Sequence, residues 1–264
     1  MGHRRSATGH SRRLTHRAAV VGALVGALLV TGCSGDSDGS SNNNNSNSST
    51  GAKGTKPSSS APGVAGSGAV LDDKQVAAVL PRQGDLPGWE GHQGHDPTVN
   101  LRTQEWLPVS CVKRKDPICP GALFATSTMF TRPDAGTITV TVYAYDKVSA
   151  AMGAAVPMLD QYAAANLLPD SIHDSRLPAE IGDSSRAKRG TSKLRSQASV
   201  TVSRVGTTLL IVETGGLNAK IYVGAELVAL GKVIAERSRQ VQNGETPTAK
   251  LKDGVLDYRK LGAS

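Results

Sequence analysis

The sequence predicts an α+β domain: a mainly antiparallel sheet packed by helices, sandwich-like, carried behind a disordered linker. Three observations predict it. Ile138, Val140, Val142 and Ala144 alternate with Thr139, Thr141, Tyr143 and Tyr145, and Ala198, Val200 and Val202 alternate with Ser199, Thr201 and Ser203. Such period-two alternation is the pattern of strands. Each stretch is followed by a segment of helical period, Lys147–Asn166 and Glu226–Val241. Leu209-Leu210-Ile211-Val212 is apolar at every position, which marks a central strand covered on both faces. Two hairpin-then-helix units in one stretch of chain favour an antiparallel sheet with helices laid against it.

The elements follow in order. Asp72 caps a short helix with Gln75 three positions on, the two halves of a capping box. Val76, Val79 and Leu80 share a face of it, and Pro81 stops it. Asp85-Leu86-Pro87-Gly88-Trp89 turns the chain into the body of the domain. Ala122–Thr131 reads as a strand with Phe124 and Phe130 on one face, and Arg132-Pro133-Asp134-Ala135-Gly136 has turn chemistry. The helix over Lys147–Asn166 presents Val148, Met152, Ala155, Leu159 and Tyr162, with Pro157 expected to kink or break it. Gly206 supplies the turn between the last two strands. The final helix is amphipathic through Leu227, Leu230, Ile234 and Val241.

The first 32 residues have a different logic. Arg4, Arg5, Arg12, Arg13 and Arg17 precede an uncharged, mostly apolar run from Ala18, and small residues Thr31 and Gly32 precede Cys33. A basic segment, a short apolar run and a small-residue cleavage site make an export signal. The run is short for a membrane span, which needs ~20 apolar residues. Leu29-Val30-Thr31-Gly32-Cys33 resembles the lipobox of bacterial lipoproteins. That resemblance implies that residues 1–32 are removed and that Cys33 carries fatty acyl chains, palmitate among them, at the new N-terminus. Two chains hold a protein stably at a membrane, where one chain of myristoyl length binds only marginally. The expected location is the cell membrane, lipid-anchored, on the extracytoplasmic face.

Residues 33–69 are rich in Ser, Asn and Gly and poor in apolar side chains. Such a segment cannot bury enough surface to offset its ordering entropy, so it reads as a disordered tether. Its root-mean-square reach is roughly 30–35 Å. Gly35-Asp36-Ser37-Asp38-Gly39 matches a nucleophile elbow in letters alone, because that motif needs a strand before it and a helix after it. Residues 70–244 form the expected single domain, and 245–264 a flexible tail.

Charge excludes one partner class. The chain carries 30 Lys+Arg against 22 Asp+Glu, a net +8. Five of those arginines lie in the leader, so the mature chain keeps 25 basic residues against 22 acids, a net +3. Much of the basicity is an export device, and nucleic acid is not an expected partner.

Cys111 and Cys119 are expected to pair with each other in an oxidising compartment. Their spacing suits neither a zinc site nor a C-x-x-C redox pair. His92, His95 and Asp96 offer metal-binding chemistry in a short stretch, but without further ligands they read as a polar surface loop. No metal and no cofactor is expected. His173 stands alone, and Asp160, Asp170, Asp174, Glu180 and Asp183 show no pairing in the sequence. Lys113-Arg114-Lys115 and Arg186-Ala187-Lys188-Arg189 read as solvated basic loops rather than anion-binding patches. Trp89 and Trp106 read as core anchors, because aromatics make up only 3% of the chain.

Leu86-Pro87-Gly88-Trp89 after a short helix, a cysteine and two strands, Ile181-Gly182-Asp183 before Val202-Ser203-Arg204-Val205-Gly206, then Leu209–Val212 and a last helix form a familiar order. The order is similar to that of actinobacterial surface lipoproteins, and more loosely to the extracellular sensor domains of PknH-type mycobacterial Ser/Thr kinases. It covers residues 71–243. The resemblance implies a sandwich-like domain with a ligand-binding cleft, and it transfers no binding residue. The functional expectation is a lipid-anchored surface domain that binds a ligand or protein partner without catalysis. The alternative is a cell-wall-active hydrolase with an unrecognised active site, in which His95 or His173 would serve. A transporter's two-lobed solute receptor fits neither the domain's length nor its antiparallel strands.

Overall fold

Asp72 starts the first helix as expected. Its carboxylate accepts from the Gln75 amide at 2.8 Å, and the Gln75 side chain accepts from the Asp72 amide at 2.9 Å. The reciprocal bonds satisfy two amides that a helix start leaves open. In the computed structural model, the described residues are 68–252 and Leu256, apart from 92–96, 107, 110, 113–115, 134 and 217–223. The elements are α1 (Asp73–Val79), β1 (Glu90–Gly91), β2 (Val99–Asn100), β3 (Ala122–Arg132), β4 (Gly136–Tyr145), α2 (Val148–Asn166), a 3-10 turn (Pro169–Ser171), β5 (His173–Ser175), β6 (Ser184–Thr191), β7 (Gln197–Val205), β8 (Thr208–Gly216) and α3 (Ala225–Gln242).

The strands form one antiparallel sheet in the order β1-β3-β4-β8-β7-β6-β5, with β2 also paired to β3. β8 lies at the centre, between β4 and β7, where its unbroken apolar run placed it. Its side chains divide between the two faces. Leu210 and Val212 join Ile138, Val140, Val142 and Ala144 beneath α1 and α3. Leu209 and Ile211 join Tyr143, Tyr145, Val200 and Val202 beneath α2. The two hairpin-then-helix units therefore place their helices on opposite faces of a shared sheet, a sandwich with helices on both sides. Among the described residues no helix is long and apolar enough to cross a membrane.

Two glycines are fixed by geometry. Gly136 has φ +111°, and a Cβ there would stand 2.1 Å from the Gly215 carbonyl oxygen, so the β3–β4 turn admits no side chain. Gly206, at φ +53°, makes the β7–β8 turn, where a Cβ would stand 2.1 Å from the Gln242 side chain.

Four details differ from the sequence reading. α2 runs as one helix across Pro157. The bond that proline removes would reach the carbonyl of Gly153, an exposed residue whose free acceptor can face solvent. The buried stripe of α2 is also shifted. Ala151, Ala154, Met158, Leu159, Tyr162 and Ala163 face the sheet, while Met152 is 59% exposed and Val156 42%. The helix is apolar nearly all round, so its period does not select one stripe, and the alanines let the backbone approach the sheet closely. Arg186–Arg189 are not a loop but part of β6, paired on both sides. Three cations in four positions read as a solvated run, and within the strand only Ala187 and Gly190 are buried. The tail after Gly244 is not loose in its first residues. The Gln240 side chain accepts from the Thr248 amide at 2.8 Å, and Leu251 and Leu256 join the α3-face core.

Candidate functional site

α2 covers only part of its face of the sheet. It ends at Asn166, where Leu167 bridges to Ser192 and the Leu168 amide bonds to Thr191. By that end the sheet supplies a polar floor: buried Ser127 from β3 and Thr141 from β4, with half-buried Thr139 from β4 and Glu213 from β8. Tyr162, Ala165 and Asn166 of α2 form one wall, and Glu105, Trp106 and Pro108 form the opposite one. The cleft so lined measures about 530 Å³. A second cavity of about 350 Å³ adjoins it toward the β6–β7 turn, sharing Thr139, Ala165, Asn166 and Glu213 with it. Volumes of this size suit small molecules.

The walls are held from behind. The Gln161 amide donates to the Pro108 carbonyl, which ties the Trp106 segment to α2. The Cys111–Cys119 disulfide forms, with Cα atoms 5.3 Å apart, and both cysteines pack against the α2-face core beside Trp106. Tyr143 and Tyr162 share a hydrogen bond of 2.7 Å between their hydroxyls, with rings edge to face at 6.4 Å. Burial raises the pKa of both phenols, so both stay neutral. Tyr145 is raised for the same reason, and its hydroxyl donates to the Ile118 carbonyl at 3.2 Å. The cleft is thus backed by neutral, hydrogen-bonded tyrosines.

Glu213 is the distinctive residue. It is half-buried at the junction of the two cavities, and burial pushes its carboxyl up to about 7. The Asn166 side-chain amide donates to its Oε1 and to the Tyr162 carbonyl, which fixes the carboxyl at the end of α2. In the larger cavity the described lining residues include two acids, Glu105 and Glu213, and no base. Lys193 lines the smaller one.

A larger groove of about 720 Å³ lies on the other flank of α2, between Val156–Asp160, residues 174–180 and β6. Its lining carries three acids and three bases, so its charges balance in number. Lys188 Nζ bonds Asp160 Oδ1 across it at 2.6 Å. The cleft at Glu213 is therefore the better candidate despite its smaller volume.

The residues singled out in the sequence fall elsewhere. Cys33, His92, His95, Asp96 and Lys113–Lys115 lie outside the described residues. His173 uses both ring nitrogens structurally: Nδ1 donates to the Ser171 carbonyl at 2.7 Å, and Nε2 accepts from Arg189 Nε at 2.9 Å. Neither nitrogen is left for a nucleophile. Asp183 pairs with Arg204 at 2.8 Å and Arg239 at 3.7 Å, so two acids that looked partnerless in sequence, Asp160 and Asp183, are paired. Among the described residues no group of three His, Cys, Asp or Glu could hold a metal. Trp89 is the core anchor expected of it. Trp106 is both a core neighbour and a cleft wall. Sequence reading missed Glu213 and Asn166. The available signal was a lone acid directly following the apolar run of the central strand.

No protein-family model matches the chain, and no curated protein matches it. Among solved structures it is distantly similar to the crystal structure of the extracellular domain of PknH from Mycobacterium tuberculosis, at a TM-score of 0.43 and 11% identity, over 65% of this chain and 98% of that one.

Proposed function

We propose that this chain is lipid-anchored on the extracytoplasmic face of the cell membrane and that its folded domain is a non-catalytic, sensor-like binder of a small ligand or envelope partner. The observation that carries the binding reading is the cleft at the end of α2, with a hydrogen-bonded but uncompensated carboxyl on its floor and an indole in its wall. The leader and Cys33 support the anchor, and residues 34–69 supply the tether. The disulfide supports an oxidising compartment.

Two measurements on the full chain test this. Expressed in a lipoprotein-processing bacterium, it partitions with membranes, and Cys33→Ser releases it. In the presence of envelope extract its Tm rises. A ligand at a hundred times its Kd stabilises by ~2.7 kcal/mol, which at 2–4 °C per kcal/mol is on the order of 5–10 °C. Thr139→Trp fills the cleft and abolishes the rise. If no envelope fraction shifts Tm, the binding reading falls.

One observation favours a second reading. A carboxyl raised to about 7, with a second acid in the same cavity, has the form of a general acid beside a base. In that case a wall glycan or ester is turned over, and Glu213→Gln abolishes the turnover. Activity of that kind would replace the binder with a hydrolase.

A further inference from the structure

We propose that the cleft takes an organic ammonium, a small amine-bearing molecule whose N–H groups bond Glu213 while its carbon skeleton lies against Trp106. The inference rests on the binding reading of this same cleft and names its ligand class.

Charge comes first. Among the described residues lining the larger cavity, Glu105 and Glu213 are ionisable to anions and nothing there is cationic. An anionic ligand would face the half-buried Glu213 carboxylate, where like charges repel more strongly than in water. Hydrogen-bond capacity comes next. A carboxylate offers about four acceptor sites. Asn166 supplies one N–H to Glu213, on Oε1. A bound molecule that closes the cleft takes water away from the remaining sites and must replace it with donors. An ammonium brings three donors and the compensating charge, and charge-assisted bonds of this kind are roughly twice as strong as neutral ones. A neutral alcohol brings one donor and leaves the charge uncompensated. Thr139 adds a hydroxyl acceptor on the same floor.

The wall agrees with the floor. An indole within about 6 Å attracts a cation through its π face, and its apolar body suits an alkyl chain. The volume of about 530 Å³ admits a diamine, a polyamine or an amino sugar and excludes a folded partner. Glu105, Tyr162 and Lys193 are the other titratable groups on the two cavities. Tyr162 stays neutral. Lys193 marks the limit of the cationic ligand's reach, since an ammonium placed there meets a like charge.

An isosteric series tests the assignment. The full chain in detergent is titrated with 1,5-diaminopentane, 1,5-pentanediol and glutarate at constant ionic strength, read by tryptophan fluorescence and calorimetry. The diamine binds saturably, and the diol and the diacid do not. Glu213→Gln keeps the Asn166 bond and the fold, checked by circular dichroism, and weakens the diamine at least tenfold. Wild-type affinity for the diamine falls tenfold or more from pH 8 to pH 5.5, as Glu213 takes up its proton, and the variant shows a smaller change. Equal binding of diol and diamine, or an unchanged Kd in Glu213→Gln, overturns the assignment. If envelope extract raises Tm through the cleft, losing its effect in Thr139→Trp, while the diamine and spermidine do nothing, the cleft reading stands and the ammonium falls. If neither extract nor amines act, both fall.

Discussion

Arg237 Nη1 stands 3.1 Å from Asp85 Oδ2, and the same guanidinium gathers the end of the first helix around it. Its Nε donates to the Val79 carbonyl at 3.0 Å, and Nη2 donates to Leu80 at 2.9 Å and Ala78 at 3.2 Å. A second Nη1 contact reaches the Ala249 carbonyl at 3.4 Å. One side chain of α3, only 3% exposed, thus satisfies carbonyls that α1 leaves open and pins the chain after α3 to the same spot. Removing it would take the cation from a half-buried carboxylate and the donors from several carbonyls together.

Arg237→Met is therefore expected to destabilise the domain by roughly 3–5 kcal/mol, the cost of breaking a buried ion pair from one side. Urea unfolding measures it. Asp85→Asn, which keeps a hydrogen-bond acceptor, costs less. Equal stability of Arg237→Met and wild type would show that the network contributes nothing.

The disulfide closes a short loop, eight positions apart in sequence, and both its cysteines pack on the α2-face core. Cys111→Ser with Cys119→Ser should cost about 2–3 kcal/mol under the chain-entropy model. Because both cysteines and Trp106 pack on the same core cluster, the double variant should also bind ligand more weakly. Thermal unfolding with and without reductant, and the binding titration, check the two effects separately.

The buried tyrosine pair predicts a non-additive pattern. Tyr162→Phe removes the 2.7 Å bond and costs about 1 kcal/mol. Tyr143→Phe in the same background adds less than it does alone, since the bond is already gone. A double-mutant cycle reads the coupling directly.

Glu213 sets a pH dependence of stability with a definite sign. Its folded value is near 7 and its ordinary value 4.5, so between those limits the folded state holds the proton more tightly than the unfolded one. Stability must then fall as pH rises through that window, and the deficit is complete above 7. Glu213→Gln removes the deficit. The variant should match or exceed wild-type Tm at pH 8, and its relative advantage should shrink as pH falls to 5.

Much of the fold was legible because its signals are local. The capping box at Asp72, the alternation in β4 and β7, the two-sided apolar run of β8 and the stripe of α3 each reflect contacts that repeat along one element. The misread features depend on what lies across space. Alanines and methionines encircle α2, so its buried face is chosen by the sheet beneath it. Arginine and lysine mask β6 because a run of cations has the composition of a solvated loop. The cleft was illegible for the same reason. Glu213, Asn166 and Trp106 are far apart in sequence and meet only where α2 stops short of the sheet's edge.

The most direct test maps the occupied surface. Backbone amide spectra of the isotopically labelled full chain are recorded before and after adding an envelope fraction that raises Tm. The account predicts shifts concentrated at Trp106, Ser127, Thr139, Asn166 and Glu213, with the 174–180 segment unmoved. Shifts centred on residues 174–188, with the Glu213 region silent, would contradict it.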